Sequence, residues 1–315
     1  MAEPIENVAG RKRMDQGLHE CEVFEDGSDV MEGNMSWASC QKNPGHPSFI
    51  PYPDFRVEHL PEEWRSQDVF KQVSELAERA VKLRVGYTSM ARPEGFPFYN
   101  VRGTSVIHTG SGWIEHVVSR SDTPCPCLDC ARNDSPHQGE WLEVNVVTAC
   151  HVVYDAEEAR STLVDVHYNT KASRRNGTMK TIRAYDVLKS DALEDACVLV
   201  CAAHDLANIQ LSFPLKVSLQ PTPDLKLKRD DPCLVISHPH GHPKQITVGK
   251  VKDADPSRPE GLITYSSSTC RGSSGAPVIA FYTESSRAIS QSSVHSMGGV
   301  SGGLNQGSCV YIKLE

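Results

Sequence analysis

No apolar run in the 315 residues approaches the roughly 18–20 side chains that a bilayer-spanning helix needs. Positive charge is not in excess either. Lys plus Arg number 32 against 40 Asp plus Glu, a net charge of −8, which is a poor match for a phosphate backbone and excludes nucleic acid as an expected partner. The opening residues, Met1 to Asn7, show no basic stretch followed by an apolar one, so the expectation is a chain without a secretory signal, working inside the cell in the cytoplasm and away from membranes. Eleven cysteines cannot all pair within one chain, and in a reducing compartment they read as thiols or metal ligands before they read as a disulfide framework. No repeat of fixed period is present. What the chain does have, 39% hydrophobic and 23% charged residues, is enough apolar material to fill cores, and its length suggests about two domains.

Residues 1–60 carry charges, Gly, Asn and Pro without sustained periodicity and are expected to form a poorly ordered arm. Over 61–84, Val69, Val73, Leu76, Ala80 and Leu83 recur at spacings of three and four. They predict a helix packed on the main fold, with Ser66 or Asp68 as its cap. From Val85 onward the texture is β. Short apolar runs (Val101–Ile107, Val144–Thr148, Leu163–Tyr168, Thr181–Val187, Cys197–Cys201, Leu234–Ser237, Gly261–Tyr265, Pro277–Phe281, Cys309–Ile312) are separated by Gly, Pro, Asn and Asp. Strands at such intervals without long helices suggest a sandwich or barrels. The Pro-containing stretch Leu206–Asp231 divides the β region into halves, 85–205 and 206–315.

Three segments carry chemistry. In Val146-Val147-Thr148-Ala149-Cys150-His151 a β-run leads into a histidine flanked by small residues. In Asp195-Ala196-Cys197-Val198-Leu199-Val200 a carboxylate stands at the mouth of an apolar strand, where burial demands a partner. In Gly272-Ser273-Ser274-Gly275-Ala276-Pro277 a serine lies between two glycines, on a tight turn that exposes its hydroxyl. A serine hydroxyl is a weak nucleophile that needs an adjacent base, and the base needs an anion to hold its tautomer. Asp191 is second to Asp195 because no apolar run follows it directly; Ser273 is second to Ser274 because it lacks the following Gly-x-Pro.

In this order the segments resemble the T-A-x-H, D-x-A-[LV]-L and G-x-S-G-x-P motifs of the chymotrypsin-like (trypsin-like) serine peptidases. The resemblance covers about residues 85–315 and is dense only at the motifs. It implies an all-β fold of two six-stranded antiparallel β-barrels with the N-terminal arm and helix appended. It also implies a serine endopeptidase acting on polypeptides through an acyl-enzyme, with His151 as general base, Asp195 orienting it and Ser274 as nucleophile. The N–H groups of Gly272 and Ser274 would form the oxyanion hole. Ser273 stands where secreted trypsin-like enzymes carry the Asp that pairs with a new N-terminus, so that activation switch is not expected. The texture is closer to the glutamyl endopeptidase-like, HtrA-like and viral 3C-like branches. His238-Pro239-His240-Gly241-His242 with Val248-Gly249-Lys250-Val251 resembles a hairpin of the HtrA-like branch; its three histidines also invite a metal reading on what is expected to be an exposed loop. Ser293-Val294-His295-Ser296 and the later Asn305-Gln306-Gly307 resemble the tail of the glutamyl endopeptidases. By that resemblance Thr269, His295 and Ser296 bind the substrate, and the P1 side chain is Glu or Gln; a satisfied strand histidine is the plain alternative for His295.

Cys125, Cys127 and Cys130 precede His137 in a polar insertion, and three thiolates with an imidazole suit tetrahedral zinc. Structural zinc, a free thiol cluster and a disulfide all remain open there; catalysis itself is expected to need no cofactor. Cys150, Cys197, Cys201, Cys233, Cys270 and Cys309 fall in or beside β-runs and read as buried thiols. Two other functions are compatible with the sequence: an inactive peptidase fold that binds peptides, and a zinc-stabilised interaction scaffold. Inhibition, partner recruitment and no role at all are equally open for the arm, and nothing sets an oligomeric state.

Overall fold

The computed structural model describes residues 15–24, 29–131, 139–204, 227–255, 262–284, 287–300 and 303–308. Two short strands, β1 (Glu22–Phe24) and β2 (Ile50–Pro51), precede the main body. The first barrel comprises β3 (Ala80–Val85), β4 (Ile107–Arg120), β5 (Trp141–Thr148), β6 (Thr162–Val166), β7 (Lys180–Asp191) and β8 (Ala196–Ala203). They run β4-β3-β6-β7-β8-β5, all antiparallel, and β5 pairs back onto β4. The second barrel comprises β9 (Pro232–Ser237), β10 (Gln245–Asp255), β11 (Leu262–Tyr265), β12 (Pro277–Glu284), β13 (Arg287–Val300) and β14 (Leu304–Ser308). They run β11-β14-β13-β12-β9-β10, and β10 closes onto β11. Two closed six-stranded antiparallel barrels are therefore the architecture, and closure pairs the barrel edges with one another among the described residues.

One apolar cluster joins the barrels. It runs from Leu83, Ile114 and Leu199 in the first to Leu234, Ile236 and Ile279 in the second. A smaller cluster around Val235, Ile263 and Val278 fills the second barrel. β8 is buried along its whole length, which its small and apolar sequence ACVLVCAA permits.

The predicted helix is α2 (Gln67–Arg79), counting α1 (Asp29–Ala38) before it. The Ser66 hydroxyl caps α2 by accepting from Val69 N–H, and Val69, Val73 and Leu76 face the core. Ala80 and Leu83 continue the helical spacing but are strand residues. The chain turns extended at Ala80, and Ala80–Val85 pairs with β4 on one side and β6 on the other. Ladder bonds on both sides, together with the β-branched Val81 and Val85, outweigh a spacing that also fits a helix. The expected strand at Val101–Ile107 does not form. A 3-10 turn at Tyr99–Val101 and a left-handed Gly103 return the chain to Thr88, and the strand begins only at Ile107. The expected strand at Cys309–Ile312 lies outside the described residues.

The arm differs most from expectation. Within residues 15–60, the described stretches 15–24 and 29–60 are docked on the barrels. β1 adds to the edge of β4, β2 adds to β10, and α1 packs on the turn at Pro239–Gly241. Backbone pairing and burial of Cys21, Phe24, Phe49 and Phe55 replace the missing periodicity. The first of these stretches, residues 15–24, crosses the cleft between the barrels. None of the helices among the described residues is long and apolar enough to cross a membrane.

Candidate active site

Strand ends of the two barrels converge at the cleft. His151 follows the end of β5 on a turn in which Val152 and Val153 N–H both donate to Ala149 O. Its carbonyl accepts from both terminal nitrogens of Arg92 at 3.1 Å. Arg92 is itself clamped to Glu158 by bonds of 2.6 and 2.7 Å, with both side chains fully buried. Asp195 enters just before β8 in a left-handed conformation, φ 47°, which a non-glycine residue adopts only under constraint. The constraint is visible: Oδ1 accepts His151 backbone N–H at 2.9 Å, and His151 Nδ1 lies 2.7 Å from Oδ2. An ionised carboxylate only accepts, so Nδ1 carries the proton and Nε2 is left with its lone pair.

Nε2 meets the hydroxyl of Ser274 at 2.6 Å, across the barrel interface. Ser274 sits on the turn before β12, where Gly272 and Gly275 have φ of +90° and +83°. A Cβ on Gly275 would come within 2.2 Å of Ser111 O, so the approach of the two barrels requires glycine there. Ser111 on β4 pins the same turn: its N–H donates to Ser274 O at 2.7 Å and its hydroxyl to Gly272 O at 2.8 Å.

Burial alone would raise the Asp195 carboxyl. The charge and hydrogen bond of His151, the ring of His19 and the Ser296 hydroxyl outweigh it and hold the group at about 2, below its usual 3.8. Its contribution to folding is therefore complete above 3.8 and is lost as pH falls through about 2. The two rivals have structural duties. Asp191 accepts from Leu193 and Glu194 N–H in the turn before Asp195, and Ser273 donates to the Ser237 hydroxyl.

The cleft holds the chain's own arm. Glu20 O accepts from Gly272 N–H at 2.6 Å and from Ser274 N–H at 3.3 Å, while Glu20 N–H donates to Ser274 Oγ at 2.8 Å. Upstream, Gly298 N–H donates to Leu18 O, and the His19 ring lies 4.1 Å from that of His151. The Glu20 carboxylate is buried in a pocket. Oε2 accepts from His295 Nε2 at 2.9 Å, and His295 Nδ1 in turn accepts from the Tyr265 hydroxyl at 2.6 Å. Oε1 accepts from Lys42 Nζ at 2.6 Å, and the same ammonium reaches Thr269 Oγ1 and Asn305 Oδ1 at 2.9 and 3.0 Å. A Cβ on Gly298 would meet the Glu20 carboxyl carbon at 2.3 Å, so a side chain at this position would displace the Glu20 carboxylate from its present place. Burial pushes the Glu20 carboxyl up, but His295 and Lys42 outweigh it and bring it to about 2.

Of the residues read from sequence, the structure brings together His151, Asp195, Ser274, Gly272, Thr269 and His295. Ser296 lies beside them in a different position. Its hydroxyl donates to Asp195 Oδ2, and only its carbonyl faces the arm, 2.9 Å from His19 Nδ1. Lys42 escaped the sequence reading because it lies in the arm and belongs to no motif.

Among the described residues, the cysteine loop gathers a histidine that the sequence reading did not name. The Sγ atoms of Cys125, Cys127 and Cys130 lie 3.0, 3.5 and 3.3 Å from His204 Nε2, just beyond the end of β8. His137 is outside the described residues. All three sulfurs and the imidazole nitrogen fall within 4.8 Å of one another, a set compatible with one tetrahedral ion. The histidines at 238, 240 and 242 do not gather as one ligand set, and their loop is not exposed. His238 and His240 are buried, the first holding His242 O and the second paired with Glu22 at 2.7 Å beneath α1.

Residues 137–285 match the family of the trypsin-like peptidase domain. Among solved structures, the active form of the Rv3671c protease from M. tuberculosis is similar at 16% identity over 76% of this chain and 78% of its own, with a TM-score of 0.41. The serine endoprotease from Yersinia pestis is similar at 15% identity over 79% and 62%, with a TM-score of 0.43. The HtrA-type protease AlgW with a decapeptide is similar at 16% identity over 76% and 63%, again at 0.43. Comparison with curated proteins gives no match.

Truncating Arg92 to Met leaves the Glu158 carboxylate buried without its cation and frees the His151 carbonyl. The expected loss is about 3–5 kcal/mol of unfolding free energy in denaturant titrations. A loss below about 1 kcal/mol would show that the pair does not hold the His151 turn.

Proposed function

We propose that this chain, which carries a trypsin-like peptidase domain over residues 137–285, is a serine endopeptidase that cleaves polypeptides after glutamate. The observation that carries the reading is a peptide carbonyl, that of Glu20, lying on the N–H groups of Gly272 and Ser274 while the Ser274 hydroxyl rests against His151 Nε2. In this mechanism Ser274 Oγ attacks the substrate carbonyl as His151 takes its proton. The developing oxyanion keeps the two backbone donors already aimed at it. Asp195, held ionised, stabilises the imidazolium, and the proton passes to the departing amine. Water then repeats the sequence on the acyl-enzyme.

Specificity follows from the pocket that holds Glu20. A neutral His295 supplies one donor and Lys42 a full positive charge, so a P1 carboxylate finds a partner for each oxygen, whereas an amide would set its own NH₂ against a cation. Profiling on a peptide library is expected to give Glu first and Gln second at P1. Hydrolysis disappears in Ser274→Ala, and Lys42→Met lowers the Glu-over-Gln ratio about 10- to 100-fold, the worth of one hydrogen bond to a charged group. A preference for Lys, Arg or large aromatics at P1 would overturn the assignment.

We also infer a structural zinc held by Cys125, Cys127, Cys130 and His204, which would tie the β4–β5 insertion to the end of β8. Cys125→Ser is expected to lose about one equivalent of zinc per chain by metal analysis and to unfold at lower temperature. Zinc content unchanged by the substitution would rule the site out.

A further inference from the structure

We propose that the Glu20–Cys21 bond is this enzyme's own substrate, cut by Ser274 of the same chain. The inference rests on the peptidase reading above and goes beyond it by naming a cleaved bond. The arm does more than block the cleft, because it is bound on both sides of one peptide bond whose carbonyl lies on the Gly272 and Ser274 N–H groups. Upstream, Gly298 holds Leu18 O and His19 bridges to Met297 of β13. Downstream, Glu22, Val23 and Phe24 pair with Thr109, His108 and Ile107 of β4. The bond between these anchors therefore spans the barrel interface at Ser274. Its carbonyl oxygen is on the two donors of the oxyanion hole, and its side chain fills a pocket that offers a donor to each carboxylate oxygen.

The step balances without any co-reactant but water. Ser274 Oγ bonds to the Glu20 carbonyl carbon and the Glu20–Cys21 C–N bond breaks. The hydroxyl proton travels through His151 to the Cys21 nitrogen, which becomes a free amine. Water then cleaves the ester and leaves a Glu20 carboxylate. The released upstream segment loses its covalent tether and can leave the cleft, while β1 stays paired with β4. Residues 18–20 thus act first as plug and then as product, and outside peptides are hydrolysed only after the cut. This route needs no salt bridge to the residue before the nucleophile, which is Ser273 in this chain.

The test is the N-terminal sequence and intact mass of the full chain with time, for wild type, Ser274→Ala, Glu20→Lys and Glu20→Ala, alongside hydrolysis of an external peptide with Glu at P1. A new terminus at Cys21 is expected in wild type. It is absent in Ser274→Ala and at least about 100-fold slower to form in Glu20→Lys, whose cation faces Lys42. Hydrolysis of the external peptide by wild type should rise with the cut. An intact Glu20–Cys21 bond in wild type, while Glu20→Ala hydrolyses the external peptide, would overturn self-cleavage and leave the peptidase reading standing, with the arm a pure inhibitor. An intact bond with no hydrolysis by either chain would overturn both.

A second cluster rests on a separate observation. Cys40, His46, His240 and Cys270 offer ligand atoms within 4.8 Å of one another, the two sulfurs 3.6 Å apart. Both ring nitrogens of His46 and the Nε2 of His240 are buried without a hydrogen-bond partner among the described residues. His240 Nδ1 is committed to the Glu22 carboxylate at 2.7 Å, which orients the ring as an outer-shell carboxylate orients a metal-bound imidazole and leaves Nε2 for a ligand. We infer a zinc ion there, joining the arm to the second barrel and fixing the loop that delivers Lys42. Relative to the parent chain, His46→Ala and Cys40→Ser are each expected to lose about one zinc equivalent, additive with the loss in Cys125→Ser. Unchanged zinc content in His46→Ala, or a Cys40–Cys270 disulfide found by mass analysis of the alkylated native protein, would overturn it.

Discussion

The contact between His151 Nε2 and Ser274 Oγ joins the two barrels at the cleft, and the bonds around it keep it aligned. The first barrel supplies the imidazole and the carboxylate, the second the alcohol and the Ser296 hydroxyl that steadies the carboxylate. Neither barrel holds a complete array, so the site exists only while the apolar seam joining Leu83 and Leu199 to Leu234 and Ile279 stays closed. Cross-barrel bonds such as Ser111 to Gly272 and Ser274 translate that closure into position at the scale of a hydrogen bond.

Charge burial is the recurring theme. Glu158, Asp195 and Glu20 are carboxylates in or under the cleft, each matched by its own donor set: Arg92 for the first, His151 with Ser296 for the second, Lys42 with His295 for the third. The last pair couples the arm to the barrels, because Lys42 belongs to the arm and His295 to β13. The arm thus contributes both the cation of the pocket and the carboxylate that fills it.

The sequence made the barrels legible through alternating short β-runs, and the three chemical residues through their immediate neighbours, since a histidine, an aspartate and a serine each stand at a strand end beside small residues. Helix α2 was legible up to Arg79, where its spacing ran on into β3 because a strand buried on both faces carries apolar residues at helical intervals as well. What stayed hidden depends on contacts distant in sequence. Lys42 has no motif around it. His204 lies far along the chain from the cysteines it faces, so proximity in sequence does not point to it. The docking of the arm is made by backbone pairing of β1 and β2, by buried side chains such as Phe24, Phe49 and Phe55, and by the pocketed Glu20, none of which leaves a periodic pattern.

The claim beneath all of this is that Ser274 is a nucleophile made reactive by His151 from the opposite barrel. The most direct measurement is covalent labelling by a fluorophosphonate probe, mapped by peptide mass spectrometry, on the Glu20→Ala chain, in which the arm no longer has a carboxylate for the pocket. A single adduct on Ser274 that vanishes when His151 is replaced by Ala is the result the account predicts. A chain that stays unlabelled, or an adduct on another serine that survives the loss of His151, would contradict it.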